Sequence, residues 1–172
     1  MYETGFVEKR KLYLKGNVCL ARISLEDLVH PDYVNRGVRV KKYFNGGFDE
    51  PGIGGWDTAI LNPPASYPHV CFNNFLNRYV MVAQEFTTEE QLLKWYVSAI
   101  EGKLEEALLQ WNYMGILEQS KPRAFYPRLV NEEGTDSREI GKDAWLFYCT
   151  SVPGFLGQIN PRMFRRKVTF EL

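Results

Sequence analysis

The sequence has few of the residues that form disulfides or metal sites. It contains only two histidines and three cysteines, and Cys19, Cys71 and Cys149 lie far apart inside apolar runs. An odd number of scattered cysteines indicates buried free thiols rather than a disulfide framework. The histidines and cysteines do not have the spacing of metal ligands, so the sequence predicts no metal site.

An excess of charge of either sign is also missing. Lysine plus arginine and aspartate plus glutamate number 21 each, so the formal net charge is zero. This balance gives no reason to expect nucleic acid or an anionic membrane as a partner. A basic cluster near the end of the chain alternates with apolar residues, which is typical of the solvent face of a strand. Its members are Arg162, Arg165, Arg166 and Lys167.

Long apolar runs are absent as well. No run approaches the ~20 residues that a membrane-spanning helix needs. The first residues lack the apolar core of a signal peptide, which leaves open a cytoplasmic protein or a chain that begins inside a longer one. Residues 46–55 are glycine-rich but lack the lysine and the following helix of a phosphate-binding loop. We therefore predict no cofactor.

Aromatic residues, in contrast, are abundant. They make up 15% of the chain, within a hydrophobic content of 45%, which fits a folded protein and favours strands. Alternation of apolar and polar residues predicts a series of short strands. These are residues 11–15, 17–24, 38–44, 69–73, 78–84, 94–100, 108–117, 126–130, 144–150 and 163–172.

Two regions interrupt this series of strands. Residues 45–66 contain so many glycines and prolines that we predict a long loop there. Residues 88–111 begin like a capped helix and carry several apolar residues near helical spacing, although Gly102 interrupts them. We predict a strand at 94–100 rather than a helix, because a repeat in the sequence requires one.

The repeat begins at two Tyr-Pro pairs, Tyr67-Pro68 and Tyr126-Pro127. Each pair opens a strand that is followed by a polar turn, a second strand and a third strand. Four short antiparallel strands, repeated radially, form the blade of a β-propeller. The alternative is a meander sandwich in which two hairpins are similar by chance.

The repeat predicts an all-β fold, a partial β-propeller of about two and two-thirds four-stranded blades. Residues 10–44 would end one blade, residues 67–117 would form a complete blade, and residues 118–172 would supply three strands of a further blade. Residues 45–66 would be the long loop before the complete blade.

Two segments carry a family resemblance. Residues 72–81, FNNFLNRYVM, and residues 164–170, FRRKVTF, resemble strands in the later blades of five-bladed propellers. These propellers belong to the glycoside hydrolase superfamily of arabinanases, xylosidases and their relatives. The resemblance covers roughly residues 10–172 and consists of strands and turns rather than a catalytic signature. It implies a carbohydrate ligand and cleavage of glycosidic bonds by paired carboxylates.

The resemblance also implies missing blades. A closed propeller of that family has about five blades, more than this chain supplies. The rest of a longer chain, further copies of this chain in a homo-oligomer, or a separate partner chain would complete the ring. Unpaired sheet edges favour such association.

The loops on the substrate face of such propellers contain the candidate catalytic residue, Asp57. Trp56 precedes it and would form a platform for a sugar ring. The alternative is an aspartate that caps its own turn, with the tryptophan packed over the loop. Asp49, Glu50 and Glu85 are further carboxylates in these loops.

The residues where the two inner strands begin are the candidate substrate contacts. They are Tyr67 and His69 on the first strand, and Tyr126 and Arg128 on the second. Gln158 is a further polar contact, from another loop. The related enzymes carry a catalytic glutamate at such a strand, so no catalytic pair transfers to this chain. His69 would contact a sugar hydroxyl or transfer a proton, or would be a hydrogen-bonded residue of the strand.

Three functions follow as hypotheses. The chain is a carbohydrate-active enzyme or part of one, a non-catalytic sugar-binding module, or an assembly piece whose exposed edges bind partner blades.

Overall fold

The computed structural model describes residues 17–29, 39–62, 65–86, 91–103, 105–120, 124–153 and 159–172. Within these ranges the protein is all-β, as predicted. The strands are β1 Ala21–Arg22, β2 Lys41–Phe44, β3 Gly47–Pro51, β4 Ser66–Asn73, β5 Arg78–Phe86, β6 Gln91–Ser98, β7 Trp111–Ser120, β8 Ala124–Asn131, β9 Glu139–Ile140, β10 Asp143–Pro153 and β11 Ile159–Thr169. The helical segments are α1, Leu25–Val29, and one 3₁₀ turn, Glu105–Leu108.

The described strands form three sheets. The first sheet has the order β1-β2-β3, the middle sheet β7-β6-β5-β4-β9, and the third sheet β11-β10-β8. β4 to β7 form an antiparallel meander, and β9 adds to its edge in parallel with β4. No helix among the described residues is long and apolar enough to cross a membrane.

The centre of the middle sheet is buried on both faces. β5 illustrates this, because Val80 and Val82 belong to one apolar cluster while Met81 and Ala83 belong to another. Alternate residues of a strand point to opposite faces, so the two clusters lie on the two sides of the sheet. Burial of each such aliphatic side chain contributes about 1.5–3 kcal/mol.

Each of the two clusters joins the middle sheet to a neighbouring part of the chain. The larger cluster joins it to the third sheet and contains Cys71, Val80, Val82, Leu93, Val97, Ala124, Leu129, Ile140, Ala144, Leu146, Tyr148 and Phe170. The smaller one joins it to the segments that flank the first sheet and contains Val18, Leu61, Ala65, Met81, Ala83 and Tyr96.

The strand prediction at 94–100 is confirmed, because β6 covers most of it and pairs with both β5 and β7. Hydrogen bonding to two neighbouring strands overrides the helical spacing of the apolar residues. The only helical segment that the structure describes between residues 91 and 111 is the 3₁₀ turn Glu105–Leu108. Residues 87–90, with the predicted capping sequence, lie outside the described residues.

The long loop predicted at 45–66 is wrong in part, because it contains β3. Asn45 and Gly46 have φ angles of 46° and 95° and form a tight turn between β2 and β3. An Asn-Gly pair is a strong hairpin signal, since both of its residues accept positive φ. The backbone N–H of Asn45 also donates to Oγ1 of Thr58, at 3.1 Å.

The first predicted strands are shorter than expected or outside the described residues. β1 covers only Ala21–Arg22 of the strand predicted at 17–24, and Cys19 forms an isolated bridge with Ala59. The strand predicted at 11–15 lies outside the described residues. All three cysteines are free, but only Cys71 is fully buried.

Candidate functional site

The two Tyr-Pro pairs share an unusual backbone conformation. Tyr67 and Tyr126 have φ angles of 51° and 55°, in the left-handed region that aromatic residues rarely adopt. Each tyrosine lies at a register shift, in the pairing of β4 with β5 and of β8 with β10. Such strain costs about 1–3 kcal/mol per residue and is concentrated at functional sites in proteins.

The rings of these residues, which we call the tyrosine pair, contact each other across two sheets. Their centroids are 4.6 Å apart and their planes lie at 69°, an edge-to-face arrangement. Tyr67 is 44% exposed and Tyr126 is 59% exposed. The ring of Phe125 contacts that of Tyr126 at 5.8 Å. The tyrosine pair therefore presents aromatic surface to solvent although both backbones are held by strands.

His69 follows the first Tyr-Pro pair and links β4 to β8. Its Nδ1 accepts a hydrogen bond from the backbone N–H of Leu129 at 3.2 Å, and the ring also hydrogen-bonds the backbone of Ser137. Burial and the charge of Arg128 lower the pKa of His69 to about 4, although the Ser137 bond opposes this. A neutral ring with these partners holds the strands together, which is the structural alternative stated for this residue.

Arg128 follows the second Tyr-Pro pair, at the position that corresponds to His69. It is exposed, and its Nη2 donates to Oγ of Ser137 at 2.7 Å. Ser137 hydrogen-bonds both Arg128 and His69, so the two side chains lie close together. The structure thus brings together four residues that the sequence placed where the inner strands begin, namely Tyr67, His69, Tyr126 and Arg128.

Asp57 lies elsewhere, beside the first sheet. Its Oδ1 accepts from the thiol of Cys19 at 3.2 Å, and its Oδ2 lies 3.6 Å from Nζ of Lys42. Nζ of Lys42 also donates to the carbonyl of Gly55, at 2.8 Å. These contacts hold the loop against β2 and against the segment that precedes β1. They join Asp57 to residues distant in the sequence, so they differ from the capping of its own turn that was the alternative for Asp57.

Trp56 is exposed, and its backbone N–H donates to Oε2 of Glu50 at 3.1 Å. The remaining candidate, Gln158, lies outside the described residues. In the part of the chain that the structure describes, no group of three or more His, Cys, Asp or Glu side chains lies together as metal ligands would.

The sequence predicted a loop at Glu85, but the structure places this residue in a strand. It lies in β5 and forms an ion pair with Lys94 of β6, and both side chains are mostly buried. Because Ser66 pairs with Gln84, Glu85 lies at the same end of the middle sheet as Tyr67. The hydroxyl of Tyr96, whose pKa is raised to about 12 by burial and then by the charge of Glu85, is buried nearby.

Sequence reasoning missed Ser137, which contacts both His69 and Arg128. The residue belongs to a polar turn, and nothing in the pattern of that turn indicates that it folds back along β4 and β8. The only sequence signal in this region is Asn131, whose Oδ1 accepts from the backbone N–H groups of Thr135 and Asp136. Such a side chain caps a turn but does not specify its direction.

Comparisons of this chain with protein-family models, with curated proteins and with solved structures found no match.

Proposed function

We propose that this chain is a carbohydrate-binding module of the β-propeller type and that the tyrosine pair is its sugar-binding surface. The observation that carries the proposal is the contact between the exposed rings of two Tyr-Pro pairs, each with a strained backbone at a register shift of its strand. Ligand sites combine aromatic surface with a few positioned polar groups. Here Arg128, fixed by Ser137, supplies the polar group next to Tyr126.

The sheet order supports the propeller part of the proposal. β4 to β7 form a four-stranded meander, and β8, β10 and β11 form a second meander of three strands. Each meander begins with a Tyr-Pro strand, and the two meanders pack face to face through the larger apolar cluster. In a propeller the first strand of each blade lines the axis, so the tyrosine pair would face a central channel. The rest of a longer chain or further copies would complete the ring.

Binding without catalysis is favoured by the position of the carboxylates. Hydrolysis requires two carboxyl groups about 5–10 Å apart on either side of one glycosidic bond. Asp57 is paired with Lys42 and Cys19 beside the first sheet, whereas the tyrosine pair connects the other two sheets. We therefore do not assign catalysis to Asp57.

Glycoside hydrolysis is the second candidate function. Glu85 is a carboxylate at the same end of the middle sheet as Tyr67, although it lies on the face of Met81 and Ala83, opposite the tyrosine pair. The resemblance to arabinanases and xylosidases supports it further. In this case Glu85 would act with a second carboxyl group from one of the missing blades. Hydrolysis of chromogenic arabinosides or xylosides that is lost in Glu85→Gln would favour this function over binding alone.

The test of the binding proposal is a calorimetric titration of the full chain with a panel of neutral and acidic oligosaccharides. We expect Tyr126→Ala to weaken binding at least tenfold. Tyr113→Ala is the matched control, because it removes an equally exposed ring from the distant edge strand β7. Equal binding by the wild type and by Tyr126→Ala would refute the tyrosine pair as the sugar site.

A further inference from the structure

We propose that the sugar bound by the tyrosine pair carries a carboxylate, as a uronic acid residue does, and that Arg128 binds this group. The inference rests on the proposed function, because it names the class of carbohydrate for the same surface. On this inference, Arg128 makes the surface bind acidic sugars in preference to neutral ones.

The charge of Arg128 is not neutralised in the described part of the chain. There the guanidinium forms no ion pair, and its hydrogen-bond partner is the uncharged hydroxyl of Ser137. Its other near neighbour is His69, which is neutral because its pKa is lowered to about 4. The positive charge beside the tyrosine pair therefore lacks a protein counter-ion among the described residues.

Most other described arginines differ from Arg128 in this respect. Arg22, Arg39, Arg78, Arg138 and Arg166 each pair with a carboxylate, and Arg165 lies over the ring of Trp145. In the turn that contains Ser137, Asp136 is paired with Arg138, and the hydrogen bonds from Arg138 lower its pKa to about 2. That carboxylate is thus engaged by an arginine of its own turn.

The geometry of a guanidinium favours a planar carboxylate as the ligand group. Ser137 accepts one Nη2 proton, which fixes the side chain and leaves further N–H donors. Two parallel donors match the two oxygens of a carboxylate, and a fixed guanidinium loses less entropy when it binds. A uronic acid residue presents this group on the same ring that would contact an exposed tyrosine.

The experiment compares an acidic oligosaccharide with its neutral form. The full chain is titrated with oligogalacturonate and with the methyl ester of the same oligomer, at low and at high salt. We expect the acid to bind at least tenfold more tightly than the ester, with a preference that decreases at high salt. Free acetate at the same concentration should compete only weakly, because the tyrosine pair contributes to binding.

Three variants separate the effect of the charge of Arg128 from the effect of its hydrogen-bond geometry. Arg128→Gln should abolish the preference, so that acid and ester bind with equal affinity, and Arg128→Lys should reduce the preference, since lysine lacks the fork of donors. Arg165→Gln removes an exposed arginine from β11 and should leave the preference unchanged.

Equal affinity for acid and ester, or a preference that survives in Arg128→Gln, would overturn the inference but not the binding proposal. Tighter binding of a sulfated oligosaccharide than of the carboxylated one would overturn the choice of carboxylate. Failure of every oligosaccharide to bind would refute the binding proposal and this inference together.

Discussion

The ring of Tyr67 meets the ring of Tyr126 edge to face with centroids 4.6 Å apart, and each residue lies near the start of the first strand of a separate meander. Both residues have positive φ and both precede a proline. The repeated conformation indicates that the surrounding strands impose it, because an isolated Tyr-Pro pair would avoid it. The contact is therefore a product of two strained backbones as well as of two aromatic side chains.

The first prediction tests this strain at Tyr126. We expect Tyr126→Gly to be more stable than Tyr126→Ala by up to ~1 kcal/mol, because alanine at positive φ costs about 1–2 kcal/mol and glycine does not. Both variants lose the same ring, so their difference reports the backbone alone. Urea denaturation measures it.

The control for this prediction is the same pair of substitutions at Tyr113, which lies in β7 and has no positive φ. There the order should reverse, and glycine should be less stable than alanine by about 0.5–1 kcal/mol. The same order at both positions would contradict an imposed left-handed conformation at Tyr126.

The second prediction concerns the pH dependence of stability through His69. Its pKa is lowered from 6.5 to about 4, first by burial and then by Arg128. The unfolded chain therefore takes up a proton before the folded one does, and stability that is complete above pH 6.5 is lost as the pH falls towards 4. We expect a loss of ~1–2 kcal/mol, reduced from the full shift because the ring is partly exposed.

His69→Asn is the matched variant for this measurement, since its side-chain oxygen can replace Nδ1 as the acceptor for Leu129 without titrating in this range. The free energy of unfolding is measured by urea denaturation at several pH values between 4 and 7. The difference between wild type and variant should change with pH as stated. Parallel curves for the two proteins would show that His69 does not titrate in this way.

Strand positions in the middle of the chain could be predicted from the sequence because the buried strands there are short apolar runs bounded by turns. Residues 80–83 in β5 are buried on both sides of the sheet, so an apolar run between turns was sufficient to identify the strand. The Tyr-Pro repeat located the first strand of each meander. The helical spacing of the apolar residues at 88–111 indicated a helix only as an alternative to the predicted strand. Pairing with β5 and β7 determines that β6 is a strand.

Other features depend on long-range structure that a local pattern does not contain. β3 was missed because the glycines that follow Asn45 obscured a hairpin signal, and the bond to Thr58 that supports the turn comes from a distant position. The position of Ser137 beside His69 and Arg128 depends on the path of a whole turn. The pairing of Glu85 with Lys94 depends on the register of two strands.

The third prediction concerns Glu118 of β7, which connects the middle sheet to the third sheet. Its side chain is 11% exposed and pairs with Arg166 of β11 at 2.8 Å, and it also accepts from the hydroxyl of Tyr148 at 3.4 Å. Loss of the carboxylate leaves Tyr148 without this acceptor. We expect Glu118→Ala to destabilise the protein by ~1–3 kcal/mol.

A double-mutant cycle with Arg166→Ala separates the ion pair from the remaining contacts of Glu118. Arg166 is 56% exposed, so solvent screens part of the pair and the coupling energy should be about 0.5–1 kcal/mol. Lys167→Ala in the same strand is a control that should show no coupling to Glu118, because Lys167 pairs with Glu132. A coupling of zero with Arg166 would mean that Glu118 stabilises the protein without this ion pair.

The fourth prediction concerns Cys19, whose thiol donates to Asp57. Burial, followed by the hydrogen bond and the charge of Asp57, raises the pKa of Cys19 to about 11, while Lys42 opposes this shift. Asp57→Asn removes the negative charge and leaves Lys42, so the pKa should fall and alkylation by iodoacetamide at pH 8 should become several-fold faster. Site-resolved mass spectrometry measures the rate, with the buried Cys71 as an internal control that should remain unchanged. An unchanged rate at Cys19 would show that burial alone sets its reactivity, and faster labelling of Cys71 would indicate general unfolding instead.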